Sequence, residues 1–197
     1  VGVGARFQGN WLKASDFVGP ASGAFRTNNR DSLTYDPQYA LHLGYERNLN
    51  SMGVIFARIG RSFTYPNVDQ RVGHTPFNVS HDFKLRTQTS NDYEIGHSFK
   101  NKSLSFHNTF YYMNLRSEIY YDSVDFLNKN LDPSKRYGVE SSFNYPVNSF
   151  ITLDNSFTFA KAKMRSGNYK SKEIPGVPNI SNTFEITFKL REDLNFS

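Results

Sequence analysis

The sequence contains no cysteine, which removes disulfide staples, thiolate zinc sites and thiol catalysis together. It also lacks any run near the ~20 consecutive apolar residues that a membrane-spanning helix requires. No segment carries the 3.6-residue repeat of an amphipathic helix. Charge of one sign is never blocked. Lys+Arg 23 against Asp+Glu 18 leaves +5, interspersed along the chain, which is not the pattern of a nucleic-acid-binding surface. Gly-x-Ser-x-Gly, His-Glu-x-x-His and the phosphate loop are all missing, and no nucleophile, base and orienting acid can be assembled. The expectation is a non-enzyme with no cofactor. Gly2-Val3-Gly4 with Gly9 has the wrong spacing for a dinucleotide loop. A positive-then-apolar leader is lacking too. The chain opens at Val1 and stops at Phe196-Ser197 in what reads as a turn, so both ends are expected to be cuts in a longer protein.

Aromatic residues, by contrast, are plentiful. Phe, Tyr and Trp make up 16% of the chain, far from the composition of a disordered segment. They fall largely in stretches of strict alternation. Val3, Ala5 and Phe7 alternate with Gly4, Arg6 and Gln8. Ile55, Ala57 and Ile59 alternate with Phe56, Arg58 and Gly60. Tyr93 and Ile95 alternate with Glu94 and Gly96, and Tyr137 and Val139 with Gly138 and Glu140. The same pattern recurs around Leu43, Phe110, Phe157 and Phe184. Successive side chains of a strand point to opposite faces, so each stretch has one apolar and one polar face. The reading is all-β: an antiparallel up-and-down meander of about eight strands.

Several stretches reach ten residues or more, beyond the ~5–6 usual in soluble sheets and close to the ~9–11 of a tilted membrane strand. The connections sort by length. Asn48–Asn50, Lys100–Lys102 and Pro146–Asn148 are short; the spans 14–37, 64–89, 123–135 and 164–175 are long. In a meander, alternate connections lie at the same end of the sheet. All short turns therefore fall at one end and all long loops at the other, as in outer-membrane barrels. Tyr111, Tyr112, Tyr120, Tyr121, Tyr137 and Tyr145 are expected at the membrane–water boundary, where amphipathic rings settle.

Four segments carry a family resemblance. Arg61-Ser62-Phe63-Thr64-Tyr65-Pro66 resembles the Arg-Ser-Phe-x-x-Pro of TonB-dependent outer-membrane receptors. Leu85 to Gly96 is similar to that family's Leu-Lys-Pro-Glu-x-Ser-x-x-Tyr-Glu-x-Gly, with Thr87-Gln88 in place of Pro-Glu. Tyr137-Gly138-Val139-Glu140 and Ile174-Pro175-Gly176-Val177-Pro178 resemble two further segments, in the same order and spacing. The resemblance implies that residues 1–197 are part of a transmembrane β-barrel of about 22 strands, with the separate plug domain absent from this stretch. It implies residence in the bacterial outer membrane among its lipid. It also implies contact with the receptor's own plug and, through the plug, the TonB complex. The implied activity is energy-coupled uptake of a scarce small molecule or metal chelate such as a ferric siderophore, haem or cobalamin. A small self-contained eight-stranded barrel acting as anchor or adhesin stays open beside it, as does a soluble all-β binding module.

Candidate residues fall in two groups. His74 and His81, which share a long loop with Asp69 and Asp82, and Lys170 and Lys172, in a loop with Lys163 and Arg165, are candidates for ligand contact. The histidine spacing fits no standard metal site. Arg58, Glu94, Glu140 and Asp154, with Arg6, Glu185 and Lys189, fall on polar strand faces; in a barrel these look into the lumen and are candidates for contact with the plug. His97 falls on the apolar face near a strand end and is expected at the boundary.

Overall fold

The computed structural model describes residues 1–14, 32–74, 79–81, 84–124, 126–191 and 194–196. Its strands are β1 (Gly2–Ala14), β2 (Ser32–Asn48), β3 (Val54–Thr64), β4 (Val72–His74), β5 (Val79–His81), β6 (Gln88–Lys100), β7 (Ser105–Arg116), β8 (Ile119–Asp122), β9 (Leu127–Asn130), β10 (Ser134–Pro146), β11 (Ile151–Met164), β12 (Ile180–Arg191) and β13 (Leu194–Phe196). One nine-stranded sheet runs in the order β1-β2-β3-β6-β7-β10-β11-β12-β13, every neighbour antiparallel. The eight long strands are the alternating stretches of the sequence, and β13 adds three residues at one edge. β1 and β13 are the sheet's edges. The closure that a self-contained barrel needs is therefore not among the described pairings.

The register preserves the alternation across the whole sheet. Leu43 opposes Ile59, Ile59 opposes Tyr93, Tyr93 opposes Tyr112 and Tyr112 opposes Tyr137. This apolar face is turned outward: Phe7 is 75%, Ile95 61% and Phe184 57% exposed. The few buried apolar residues, Phe56, Leu115, Ala162 and Met164 in strands and Leu85 in a loop, are not on that face. Burial is thus inverted relative to a protein folded in water, where apolar exposure costs about 25 cal/mol per Å². On β10 the outward face runs from Tyr137 to Tyr145 through Val139 and Phe143. That is about 26 Å along the strand, or about 20 Å along a membrane normal at a tilt of about 40°. It approaches the apolar band of a membrane barrel.

Every acidic residue of the sheet lies on the other face: Asp36, Glu46, Asp92, Glu94, Glu140, Asp154 and Glu185. Phe56 lies there too. β3 pairs with β6 without a break in register, and Phe56 sits opposite Gly96. A Cβ on Gly96 would overlap the Phe56 ring, so the glycine makes the space the ring fills. The ring also stacks on His107, with centroids 5.5 Å apart.

The short turns share one device. Asn48 Oδ1 accepts the N–H of Asn50; Asn101 Oδ1 accepts those of Ser103 and Leu104; Asn148 Oδ1 accepts those of Phe150 and Ile151. An asparagine side chain thus closes each turn onto its own backbone. His97, at this same end, bonds the Met52 carbonyl at 2.6 Å.

Several sequence-based expectations need correction. Residues 32–37 belong to β2 and not to a loop. Pro37 is tolerated because β2 pairs with β3 only as far as Leu41, so beyond that point one of its edges is open. Residues 119–122 are a separate strand and not the end of β7; Tyr120 and Tyr121 sit on the β8–β9 hairpin above the sheet. Tyr111 is on the polar face, one residue out of phase with Tyr112.

Candidate functional site

The polar face of the sheet carries the chemistry first. Arg58 on β3 stands between Glu46 on β2, at 3.5 Å, and Glu94 on β6, at 3.8 Å. Its guanidinium also lies 4.8 Å from the Phe56 ring centroid. All three charged groups remain substantially exposed, so this bridge contributes little to stability. Arg58 and Glu94 line an open recess of about 510 Å³ with Arg6, His42 and Asp92. Further along the face, Glu140 borders a second recess with Tyr111 and Arg136. Asp154 accepts a hydrogen bond from Asn144 Nδ2 at 2.6 Å. The four residues singled out in the sequence thus share one face. Only Arg58 and Glu94 touch each other.

The second part of the site is the end with the long connections. Tyr65 follows β3, and its one hydroxyl proton is shared between the carbonyls of Gln8 and Asp36, each at 2.8 Å. Burial and the nearby Asp36 carboxylate push its phenol above the usual tyrosine range. Thr87 Oγ1 donates to the Asp36 carboxylate. The start and the end of connection 65–87 are thereby tied to β1 and β2. Within it, Leu85 and Arg71 are buried.

Neighbouring connections are tied together as well. Asn130 Oδ1 accepts the Arg86 N–H at 2.8 Å, and its Nδ2 donates to the carbonyls of Arg86 at 3.0 Å and Ser117 at 2.9 Å. Glu118 pairs with Arg136 and accepts from Ser134, whose side chain is fully buried. The segments 84–87, 117–118 and 130–134 therefore form one platform. A recess of about 480 Å³ opens between that platform and β2, lined by Asn10, Asp36, Gln38, Lys84 and Thr87. It has the mixed donors and acceptors that a polar ligand needs.

The loop candidates are less concentrated. His81 lies opposite Val72 and His74 opposite Val79 in the β4–β5 pairing. Their side chains, and Asp82, lie outside the described residues. Among the described residues no group of His, Asp and Glu is placed to hold a metal ion. Lys170 and Lys172 are exposed on the connection from β11 to β12. There the Met164 N–H bonds the Lys172 carbonyl and the Lys170 N–H bonds that of Gly167. That loop and the β4–β5 loop are separated in sheet order by β6, β7 and β10.

Asp36, Tyr65, Thr87 and Asn130 were not legible as site residues in the sequence. Asp36 was hidden by Pro37. Asn130 is one of many asparagines, and nothing in its neighbours marks it. Tyr65 and Thr87 lay inside the motifs quoted above, but as pattern and not as a pair converging on one carboxylate.

Residues 1–196 match the family described as TonB dependent receptor-like, beta-barrel. No curated protein matches the chain in sequence. Solved structures with the same fold include "Copper transporter OprC", at TM-score 0.71 and 16% identity over 95% of this chain and 30% of that one. The siderophore receptor PiuA from Acinetobacter baumannii superposes at TM-score 0.66 and 13% identity, over 98% of this chain and 29% of that one. The ferric-catecholate import receptor Fiu from Escherichia coli K12 does so at 0.64 and 15%, over 98% and 30%. The chain thus spans about 30% of the length of these proteins.

Proposed function

The chain belongs to the TonB-dependent receptor family, as β-barrel, and from that premise we propose that it forms part of the wall of a bacterial outer-membrane receptor. That receptor takes up a scarce small molecule or metal chelate by energy-coupled transport, with a ferric siderophore as the first candidate. The observation that carries this reading is the division of the sheet into two faces. Every sheet carboxylate lies on one face, and large apolar residues are exposed on the other. Charge at the lipid midplane costs about 2–4 kcal/mol for Arg or Lys, so the polar face looks inward.

In this reading Arg58, Glu94, Glu140 and Asp154 present hydrogen-bonding groups to a plug domain carried elsewhere in the protein. The platform around Asp36, Thr87 and Asn130 forms part of the outer vestibule where ligand arrives. His74, His81, Lys170 and Lys172 lie on the same outer side and are candidates to meet it. No bond is made or broken; the wall's work is to hold position and supply polar contacts. The relatives of known structure named for siderophores, ferric catecholate and copper support this class of cargo.

The test is uptake. A strain lacking the protein, starved of iron, is given ⁵⁵Fe loaded on catecholate, hydroxamate and phenolate chelators, and copper(II) separately. Loss of energy-dependent uptake of one probe is expected. Unchanged uptake of every probe would overturn the iron-chelate and copper readings.

A further inference from the structure

The outward face is not uniformly apolar. Above the tyrosines of β7 and β10 it becomes cationic. On β10, Lys135 stands two residues beyond Tyr137, with its ammonium 6.0 Å from that ring. Lys163 of β11 is directly opposite Lys135, and Lys161 is directly opposite Tyr137. On β7, Asn114 opposes Lys135, and Arg116 lies two residues further on the same face. Four cations from three adjacent strands thus crowd one patch. Among the described residues one carboxylate answers them: Glu173, which bonds Lys161 at 3.0 Å and pairs through its backbone with Lys163. The Lys161 hydrogen bond is the largest of the influences that hold Glu173 below the usual carboxylate range. No sheet carboxylate faces this way. Like charges directly opposed across two strands destabilise a sheet, and among the described residues no carboxylate forms an ion pair with Lys135 or Lys163.

We propose that Arg116, Lys135 and Lys163 hold the phosphate of an outer-leaflet lipid against the barrel wall. The inference rests on the membrane reading above. Three features favour lipid phosphate over a free anion or an acidic protein. The cations begin where the tyrosines end, which is where headgroups lie in a membrane barrel. Below them the same strands present Phe110, Val139, Phe157 and Phe159, a surface for acyl chains continuous with the charged patch. Finally, Asn114 adds an uncharged hydrogen-bonding group between Arg116 and Lys135.

The experiment uses the full-length protein purified from its outer membrane in nonionic detergent and reconstituted in zwitterionic vesicles. These vesicles contain either a diphosphorylated glycolipid or its dephosphorylated form, and lipid retained by the protein is measured by native mass spectrometry. Selective retention of the phosphorylated form is expected, weakened about fivefold for each cation removed in R116Q, K135Q and K163Q. E173Q is expected to strengthen it. Equal retention of the two forms, or no change in the triple variant, would overturn the proposal. So would complete competition by millimolar inorganic phosphate, which would indicate a free-anion site. Protein that fails to enter vesicles at all would overturn the membrane reading, a separate result.

Discussion

Gly96 carries no side chain because Phe56 occupies the space one would fill. The exchange puts an aromatic ring flat over a glycine on the neighbouring strand, packed on His107. A Cβ there would also meet the Asn108 carbonyl of β7, so Gly96→Ala should strain both ring and backbone and cost about 1–3 kcal/mol, the usual price of overpacking. Urea unfolding of the detergent-solubilised protein checks this, and a midpoint equal to wild type would refute it. Tyr65 makes a different kind of prediction. Its phenol is raised, so the neutral form is the one the fold prefers. That contribution is fully present below the ordinary tyrosine value of about 10 and is lost as pH rises through the folded value. Protection of residues 65–87 from proteolysis should hold up to about pH 10 and fall above it. Tyr65→Phe should lower it below about pH 10 and flatten the profile. A Tyr65→Phe profile that still falls above that pH would remove Tyr65 as the cause.

Asn130 ties together two connections that leave different strands. Replacing it with Ala removes three hydrogen bonds and leaves the Arg86 and Ser117 backbone groups to find water. At about 1 kcal/mol for each such bond, hydrogen exchange at residues 84–87 and 117–133 should rise tenfold or more in Asn130→Ala. It should leave the β10–β11 pair unchanged; exchange rising across the whole sheet would mean global destabilisation instead. At this scale the sequence is most readable. A long strand with one apolar face writes its period into a dozen residues, and all eight such strands were recognisable. Strands of three or four residues, β4, β5, β8 and β9, carry too few side chains to show a period. The extension of β2 through Pro37 was illegible because its permissibility depends on where β3 stops pairing, a tertiary fact. The candidate site divides the same way. That Arg58, Glu94, Glu140 and Asp154 share a face follows from parity alone. Arg58 meeting both Glu46 and Glu94 depends on register, and Asn130 meeting Arg86 depends on loop packing; neither has a local signal.

For the molecule as a whole, adjacent residues should report different surroundings. The chain has no cysteine, so a thiol introduced into it is the only one it carries. Nitroxides attached to I95C and F110C should collide readily with oxygen, which dissolves in lipid, while those at E94C and T109C should not. Equal oxygen accessibility at both members of each pair would contradict the two-faced wall. The outward exposure of Phe7, Ile95 and Phe184 carries a further consequence, for the protein's biogenesis. Folding in water ordinarily hides such residues, so a newly made chain becomes less adhesive as it folds. Here the finished fold still displays them, and only lipid covers them. In water the folded sheet would keep this adhesive face, so the step that makes the chain safe from aggregation is burial in lipid and not folding itself.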